Sequence, residues 1–191
     1  MLGEFAVKFR VRTKANGFDW ALVAVYGAAQ PELKRDFLSD LVRICGNEQL
    51  PVLVGGDFNI LRENCDKNKT MNRFPYVDKF NCIIDSLSLR EIYMGGGKYT
   101  WTNNQNHPTL EKLDRILMSF DWEDLFPLVT VRKLVRDVSD HNPLLLSSGA
   151  KKNTSHQHEF RFELSWLRDD NFYPTAKRIW DQPVRHDDPI D

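Results

Sequence analysis

The chain contains little cysteine, with only three such residues among 191. Cys45, Cys65 and Cys82 lie far apart and show no Cys-x-x-Cys spacing, which argues against both a zinc site and a disulfide framework. Few and widely separated cysteines are typical of proteins in a reducing compartment. We therefore expect a nuclear or cytoplasmic protein, with no visible targeting signal to decide between the two.

The chain also lacks a long apolar run and carries almost no net charge. No stretch reaches the length of a membrane helix, and the first four residues are too polar and too short a lead for a signal peptide, so we expect no membrane partner. The 26 basic and 27 acidic residues give a net charge of −1. Such a balance supplies no global attraction for nucleic acid, so any DNA binding would depend on weak, local contacts. The sequence does not indicate an oligomeric state.

Hydrophobic residues make up 41% of the sequence, which is enough for one substantial core. Residues 5–12 alternate apolar and polar side chains as a half-exposed strand does, and Asn16-Gly17 is a hairpin turn before the returning strand at residues 20–26. Helices are predicted to begin at Pro31 and Pro75. Further strands are predicted before Gly56, at residues 100–103, around Asp114, and at residues 129–135 and 144–146.

The most informative motif is Gly56-Asp57-Phe58-Asn59, which follows the apolar run at residues 51–55. A buried strand that ends in this way presents Asp57 and Asn59 at its carboxyl edge, where α/β sheets usually carry their chemistry. These side chains suit a phosphate site, because the acid can take a proton or hold a divalent cation and the amide can donate to a phosphate oxygen. The same tetrapeptide also fits an ordinary turn.

Two further polar clusters lie at the ends of predicted strands. Asp140-His141 precedes the apolar run at residues 144–146, and Asp114 is the only acid in an alternating apolar stretch after residues 100–103. An acid in such a stretch either faces a polar cavity or needs a partner. A lone Asp-His pair is more often part of a surface loop, but three such clusters in this order, each at a strand end, are much harder to dismiss as loops.

In five segments the chain resembles the endonuclease/exonuclease/phosphatase superfamily, whose members are metal-dependent phosphodiesterases. The segments are Val25-Tyr26-Gly27, Gly56-Asp57-Phe58-Asn59, Thr100-Trp101-Thr102-Asn103, Leu113-Asp114-Arg115 and Ser139-Asp140-His141-Asn142-Pro143-Leu144.

The closer resemblance is to the endonuclease domain of plant non-LTR (LINE-type) retrotransposons, and it runs from about Trp20 to Trp180. Those proteins have near equivalents of residues 87–92 and 98–103. They also have near equivalents of residues 160–163, Trp166 and Trp180, which follow the domain.

The resemblance implies an α/β fold, namely a four-layer α/β sandwich of two mixed sheets packed face to face with helices outside. It places the domain at residues 1–148, a polar linker at 149–159 and the start of the retroelement's connecting region at 160–191. Family domains begin with a strand that carries an Asn, followed by a Glu that binds the metal, and no pair before Val25 matches them. We therefore expect a domain without its first strands and with impaired activity.

The resemblance also assigns catalytic roles. Asp57 would activate the attacking water or its metal, and Asn59 would grip the scissile phosphate. Asp114 would hydrogen-bond His141, whose imidazolium would stabilise charge on the phosphoryl oxygens. Tyr26 would stabilise the phosphate or the leaving group from the opposite wall.

Metal ligands and substrate contacts follow from the same resemblance. Asp57, Asn59 and Asp140 would hold the cation, and their hard oxygen atoms favour Mg²⁺, with Mn²⁺ as an alternative. Trp101 and Arg115 would contact the substrate.

From the residues alone, each of these side chains also has a plainer interpretation. Tyr26 could cap a core strand, Asp114 could pair only with Arg115, Trp101 could be a core residue, and Arg115 could be a solvated surface cation. Two functional hypotheses therefore remain. The chain is a Mg²⁺-dependent DNA endonuclease, or it is a non-catalytic remnant with at most weak nucleic-acid binding.

Overall fold

The structure is a computed structural model that describes residues 1–14, 16–69, 76–149 and 171–181. The chain forms two compact units, Met1–Ala150 and Lys151–Asp191. The predicted helix start at Pro75, the linker from residue 150 onward and most of the predicted connecting region lie outside the described residues. No described helix is long and apolar enough to cross a membrane.

The first unit holds most of the predicted strands and helices. Its strands are β1 (Ala6–Arg12), β2 (Asp19–Tyr26), β3 (Val52–Asp57), β4 (Leu89–Glu91), β5 (Met94–Gly95), β6 (Trp101–Thr102), β7 (Leu110–Glu111), β8 (Asp114–Ser119), β9 (Thr130–Lys133) and β10 (Leu144–Ser147). Its helices are α1 (Lys34–Cys45), which follows a 3₁₀ turn at Pro31–Leu33, α2 (Val77–Ser86) and α3 (Phe120–Leu125). The described part of the second unit holds α4 (Phe172–Trp180).

Five strands form a mixed sheet in the order β1-β2-β3-β8-β4. Within it β2 and β3 run parallel, whereas β3 pairs with β8 antiparallel. A second sheet has the order β10-β9-β5, and β6 pairs with β7 in a short antiparallel ladder. The parallel pair matters for function, because β2 and β3 end at the same edge of the sheet.

The core has two parts, one on each face of the five-stranded sheet. Successive side chains of a strand point to opposite faces. Val54 accordingly packs in the cluster that contains Phe37 of α1 and Phe80 of α2, whereas Leu53 packs in the cluster that contains Val131 of the second sheet. Helices α1 and α2 therefore cover one face and the three-stranded sheet covers the other, which confirms the predicted α/β sandwich.

Candidate functional site

Three candidate residues lie side by side where β2 and β3 end and β8 begins. Tyr26 is the register partner of Asp57, and Asp57 is the register partner of Asp114. Asp57 and Leu53 are four residues apart in one strand and therefore share the face that the second sheet covers. The interior part of this face packs against the second sheet through hydrophobic contacts. The polar row formed by Tyr26, Asp57 and Asp114 therefore lies at the edge of the packed sheet.

A tight turn after β3 fixes the carboxylate of Asp57. The backbone N–H of Asn59 donates to Asp57 Oδ1 at 2.9 Å, and Asn59 Nδ2 donates to Asp57 Oδ2 at 2.8 Å. Asn59 Nδ2 also donates to the carbonyl of Gly27 at 3.0 Å. The amide of Asn59 is therefore engaged within the protein, which differs from the expected donation to a phosphate oxygen.

His141 lies between the two acids of the row. Its Nδ1 is 2.8 Å from Asp114 Oδ2, and its Nε2 is 3.9 Å from Asp57 Oδ2. The first contact is the predicted hydrogen bond. It orients the imidazole and leaves Nε2 directed towards Asp57 across a distance too long for a hydrogen bond. Because the Asp114 carboxylate accepts only, Nδ1 carries the proton in this contact.

The acids around His141 favour its charged form. Burial lowers the pKa of His141, but the hydrogen bond and charge of Asp114 raise it, and so do the charges of Asp57 and Asp140. The net direction is upward, so the imidazolium persists to a higher pH than in a free histidine. A cation at this position can stabilise negative charge that develops on a phosphoryl oxygen.

Asp57 is a buried carboxylate, and the base role predicted for it requires the ionised form. Only 8% of the residue is exposed, and this burial raises the pKa of Asp57 above its usual value. The hydrogen bonds from Asn59 and the charge of His141 oppose the shift, whereas the charge of Asp114 adds to it. An elevated pKa brings a carboxylate closer to the basicity that a general base needs near neutral pH.

The segment that carries His141 is fixed by β6 and the residue before it. Thr100 Oγ1 accepts hydrogen bonds from the backbone N–H groups of Leu113 and Asp114, both at 3.0 Å, and its carbonyl accepts one from Asn142 at 2.7 Å. Ser139 Oγ accepts from the backbone N–H of His141 at 3.0 Å. Thr100 thus connects the segments that carry Asp114 and His141.

Trp101 and Asp140 contact each other at the rim. The indole Nε1 of Trp101 donates to Asp140 Oδ2 at 2.9 Å, and this hydrogen bond lowers the pKa of the Asp140 carboxyl. Trp101 also forms a backbone bridge with His141. Tyr26 is 73% exposed beside Asp57, so it does not cap a buried core strand, and its side chain is open to a substrate.

Arg115 does not occupy the position that a substrate contact requires. The residue is 2% exposed, and its guanidinium donates to Glu91 Oε1 at 2.9 Å and to Asp66 Oδ2 at 2.6 Å. Both the predicted substrate contact and the alternative of a solvated surface cation are therefore wrong. The strand alternation explains this, because Arg115 points to the face opposite Asp114. Asp114 pairs with His141 rather than with Arg115.

A divalent cation needs several donor atoms that converge on one point. Among the described residues no group of three or more His, Cys, Asp and Glu side chains could hold a metal ion. Asp57 and Asn59 still offer hard oxygen atoms, and Mg²⁺ commonly binds to one or two protein carboxylates while it keeps several waters. The residues fit such a hydrated ion and do not fit a closed cage. One carboxylate oxygen of Asp140 is engaged by Trp101.

An open groove beside the row offers space for a substrate group. It has a volume of about 430 Å³, and its floor includes Gly55 and Gly56. His141, Pro143 and Leu144 are among the residues along its sides. A bound group in this groove would lie next to both His141 and Asp114.

Three supporting residues had no role assigned from the sequence. Gly27 brings its carbonyl to Asn59 and its N–H to the carbonyl of Asp57 at 2.7 Å. Thr100 joins two site segments, and Lys34 donates to the carbonyl of Asn59. Gly27 and Thr100 stand inside segments that carried the resemblance, so that signal was present. Lys34 had no such signal, because only the fold brings the start of α1 next to β3.

Comparison with known proteins gives a family match. The sequence profile of the endonuclease/exonuclease/phosphatase family matches residues 2–141, a span that includes Asp57 and Asp114 and ends at His141. No curated protein sequence matches the chain.

Several solved structures share the fold. The endonuclease domain of TRAS1, a telomere-specific non-LTR retrotransposon, has a TM-score of 0.58 at 19% identity, over 78% of this chain and 65% of that one. A 3′ phosphatase from Neisseria, NExo, bound to a product DNA hairpin, has a TM-score of 0.55 at 18% identity, over 67% and 60%. Beta toxin from Staphylococcus aureus has a TM-score of 0.52 at 16% identity, over 75% and 56%.

The TM-scores of 0.52 to 0.58 establish a shared fold, and this chain spans between 56% and 65% of the three proteins' lengths. The TRAS1 match agrees with the predicted resemblance to endonuclease domains of non-LTR retrotransposons. The plant origin that the sequence suggested stays a prediction.

Proposed function

The chain belongs to the endonuclease/exonuclease/phosphatase family, and from this premise we propose that it is the DNA endonuclease domain of a LINE-type retroelement, a metal-dependent phosphodiesterase. The observation that supports the proposal best is His141, which lies 2.8 Å from Asp114 and 3.9 Å from Asp57. A cation next to a carboxylate suits the hydrolysis of a phosphodiester, because one group stabilises the phosphoryl oxygens while the other accepts a proton from water.

The reaction divides between these side chains. Asp57 takes a proton from the attacking water, since its carboxylate is held in place by Asn59. His141, oriented by Asp114, donates hydrogen bonds from its imidazolium to the phosphoryl oxygen. Tyr26, exposed on the other side of Asp57, contacts the phosphate or the leaving oxygen. When Mg²⁺ or Mn²⁺ is bound by Asp57 and Asn59, it supplies Lewis-acid stabilisation of the phosphate charge.

DNA is the substrate that two neighbours favour. The TRAS1 domain is an endonuclease, and the Neisseria phosphatase is bound to a product DNA hairpin. In this proposal Trp101 contacts the substrate at the rim of the site, where its indole also donates a hydrogen bond to Asp140. With a net charge of −1, the protein would bind DNA through local contacts around the site.

A second candidate is a family member that keeps the fold and binds nucleic acid weakly without cutting it. One observation favours this candidate, because the described residues contain no group of three metal-binding acids, histidines or cysteines. Loss of metal ligands or of their supporting contacts commonly lowers affinity or activity by about tenfold to a hundredfold.

Nicking of supercoiled plasmid distinguishes the two candidates. The folded chain should nick the plasmid in Mg²⁺ and stop in EDTA, and Asp57→Asn should lower the rate by about a hundredfold or more because the base is lost. Asp124→Asn, the same chemical change at an exposed position of α3, should nick like the wild type. No nicking by folded wild-type protein, or full activity in Asp57→Asn, would reject the endonuclease.

A further inference from the structure

Lys34 is the first residue of α1, and its ammonium group reaches the turn that carries Asn59. Lys34 Nζ donates a hydrogen bond to the backbone carbonyl of Asn59. We propose that Lys34 is a positioning residue for the reaction, which acts through Asn59 to hold Asp57 in its working orientation. This inference depends on the function proposed above.

Asn59 has an unusual backbone conformation. Its backbone φ is +51°, in the left-handed region that residues other than glycine rarely adopt. A residue keeps such a conformation when its surroundings fix it. At Asn59 the side chain is fixed by the carbonyl of Gly27, and the backbone carbonyl is fixed by Lys34.

Asn59 in turn holds the carboxylate of Asp57. Both oxygens of Asp57 accept hydrogen bonds from Asn59, one from its backbone N–H and one from its side chain. The side-chain bond depends on the left-handed turn, because the φ of Asn59 sets the direction of its side chain and its carbonyl relative to its N–H. A change at the Asn59 carbonyl therefore alters the orientation of Asp57 relative to His141.

The surroundings of Lys34 explain why its ammonium group lies next to the turn after β3. Lys34 is half-buried, whereas its neighbour Arg35 is exposed. Burial lowers the pKa of Lys34, and the charges of Glu111 and Asp57 oppose this shift. A partly desolvated ammonium group needs acceptors and opposite charge, and the turn after β3 supplies the acceptor. The rest of α1 is anchored in the core through Phe37 and Leu38, so the helix delivers Lys34 from a rigid element.

The test compares Lys34→Met, which keeps the apolar stem, with Arg35→Met, which removes the same charge one residue along. Lys34→Met should lower kcat of nicking by about tenfold with KM changed by less than about twofold, as loss of a supporting contact does. Arg35→Met should match the wild type. Lys34→Met combined with Asn59→Ala should be no slower than Asn59→Ala alone, because both substitutions interrupt one path.

A spectroscopic measurement decides the inference even if the chain does not cut DNA. The ¹H–¹⁵N resonances of the Asn59 backbone and side-chain amides should shift in Lys34→Met, and hydrogen exchange of the backbone amide should quicken. Neither should change in Arg35→Met. Unchanged Asn59 resonances in Lys34→Met would overturn the role of Lys34. So would a double variant whose loss of rate equals the product of the losses in Lys34→Met and Asn59→Ala. Absence of nicking with shifted resonances would reject the proposed function and keep the positioning contact.

Discussion

Two adjacent glycines near the end of β3 have different surroundings. Gly56 has a φ of +145°, and a Cβ built there would lie 2.0 Å from the carbonyl oxygen of Val25. Gly55 lies on the opposite face, where a Cβ would lie 3.5 Å from Ile116 Cγ1, an ordinary contact. The glycine that precedes Asp57 is therefore required by the close approach of β2 to β3, and Gly55 is not.

This difference predicts opposite outcomes for one substitution. Gly56→Ala should lower the free energy of unfolding by about 2 kcal/mol or more, because β2 and β3 must separate and the new residue is strained. Gly55→Ala should change it by less than about 1 kcal/mol. Urea denaturation followed by circular dichroism measures both, and equal stabilities of the two variants would show that the strands do not pack as described.

Individual site residues were predictable where the sequence carries them in recognisable segments. Asp57, Asp114 and His141 stand at strand ends, and the structure contains the predicted contact between Asp114 and His141. Their catalytic roles remain proposals. Lys34 could not be predicted, because its contact with Asn59 joins positions 25 apart that no local pattern connects.

At the scale of elements, Arg115 connects parts of the chain that no local pattern joins. From β8 its guanidinium reaches Glu91 at the end of β4 and Asp66 in the 3₁₀ turn Asn64–Asp66. Lys112 and Arg62 also pair with Glu91. The loop after Asn59 is thereby attached to the sheet on the face opposite the site.

Removal of this connection should be costly. Arg115→Met removes the ion-pair partner of the buried Asp66 carboxylate, while Arg62 and Lys112 still pair with Glu91. We therefore expect a loss of about 3 kcal/mol in the free energy of unfolding. Arg90→Met is the matched control, since its side chain is 60% exposed and pairs with Glu123 at the surface, and it should cost less than about 1 kcal/mol. Equal urea midpoints for the two variants would contradict a structural role for Arg115.

The longer strands and helix α1 were predicted, whereas three of the shortest strands were not. The apolar pattern indicated β1, β2, β3 and α1, because elements of six to twelve residues show such a pattern clearly. β4, β5 and β7 have two or three residues each, too few for an alternation to be visible. The sheet order also could not be predicted, since β8 inserts between β3 and β4 through pairings distant in sequence.

At the scale of the whole molecule, the described core lies in the first unit. Its last fully buried hydrophobic residue is Val131, and Leu144 and Leu146 pack against the same cluster. The first unit, Met1–Ala150, therefore contains its own core. The domain boundary at residue 148 stays a prediction.

A shortened chain tests this independence. A protein that ends at Gly149 should unfold in urea with the midpoint of the full chain, because no described core contact is removed. It should also nick plasmid at the rate of the full chain. A lower midpoint would show that the first unit needs residues after Gly149.

In the proposed reaction Asp57 and His141 work in opposite charge states under the influence of Asp114. His141 acts as an imidazolium below its pKa, which Asp114 raises against the effect of burial. Asp57 acts as a carboxylate above its pKa, which burial raises and the charge of Asp114 raises further. The rate should therefore fall at both low and high pH. A neutral residue at position 114 lowers both pKa values, so both limbs of the profile should move to lower pH.

The most direct measurement is the pH profile of plasmid nicking for the wild type and for Asp114→Asn, with folding checked at each pH. We predict a bell-shaped wild-type profile, and for the variant a lower maximum with both limbs displaced to lower pH. A folded wild type that does not nick at any pH would contradict the proposed charge states of Asp57 and His141. A variant whose limbs coincide with those of the wild type would contradict them as well.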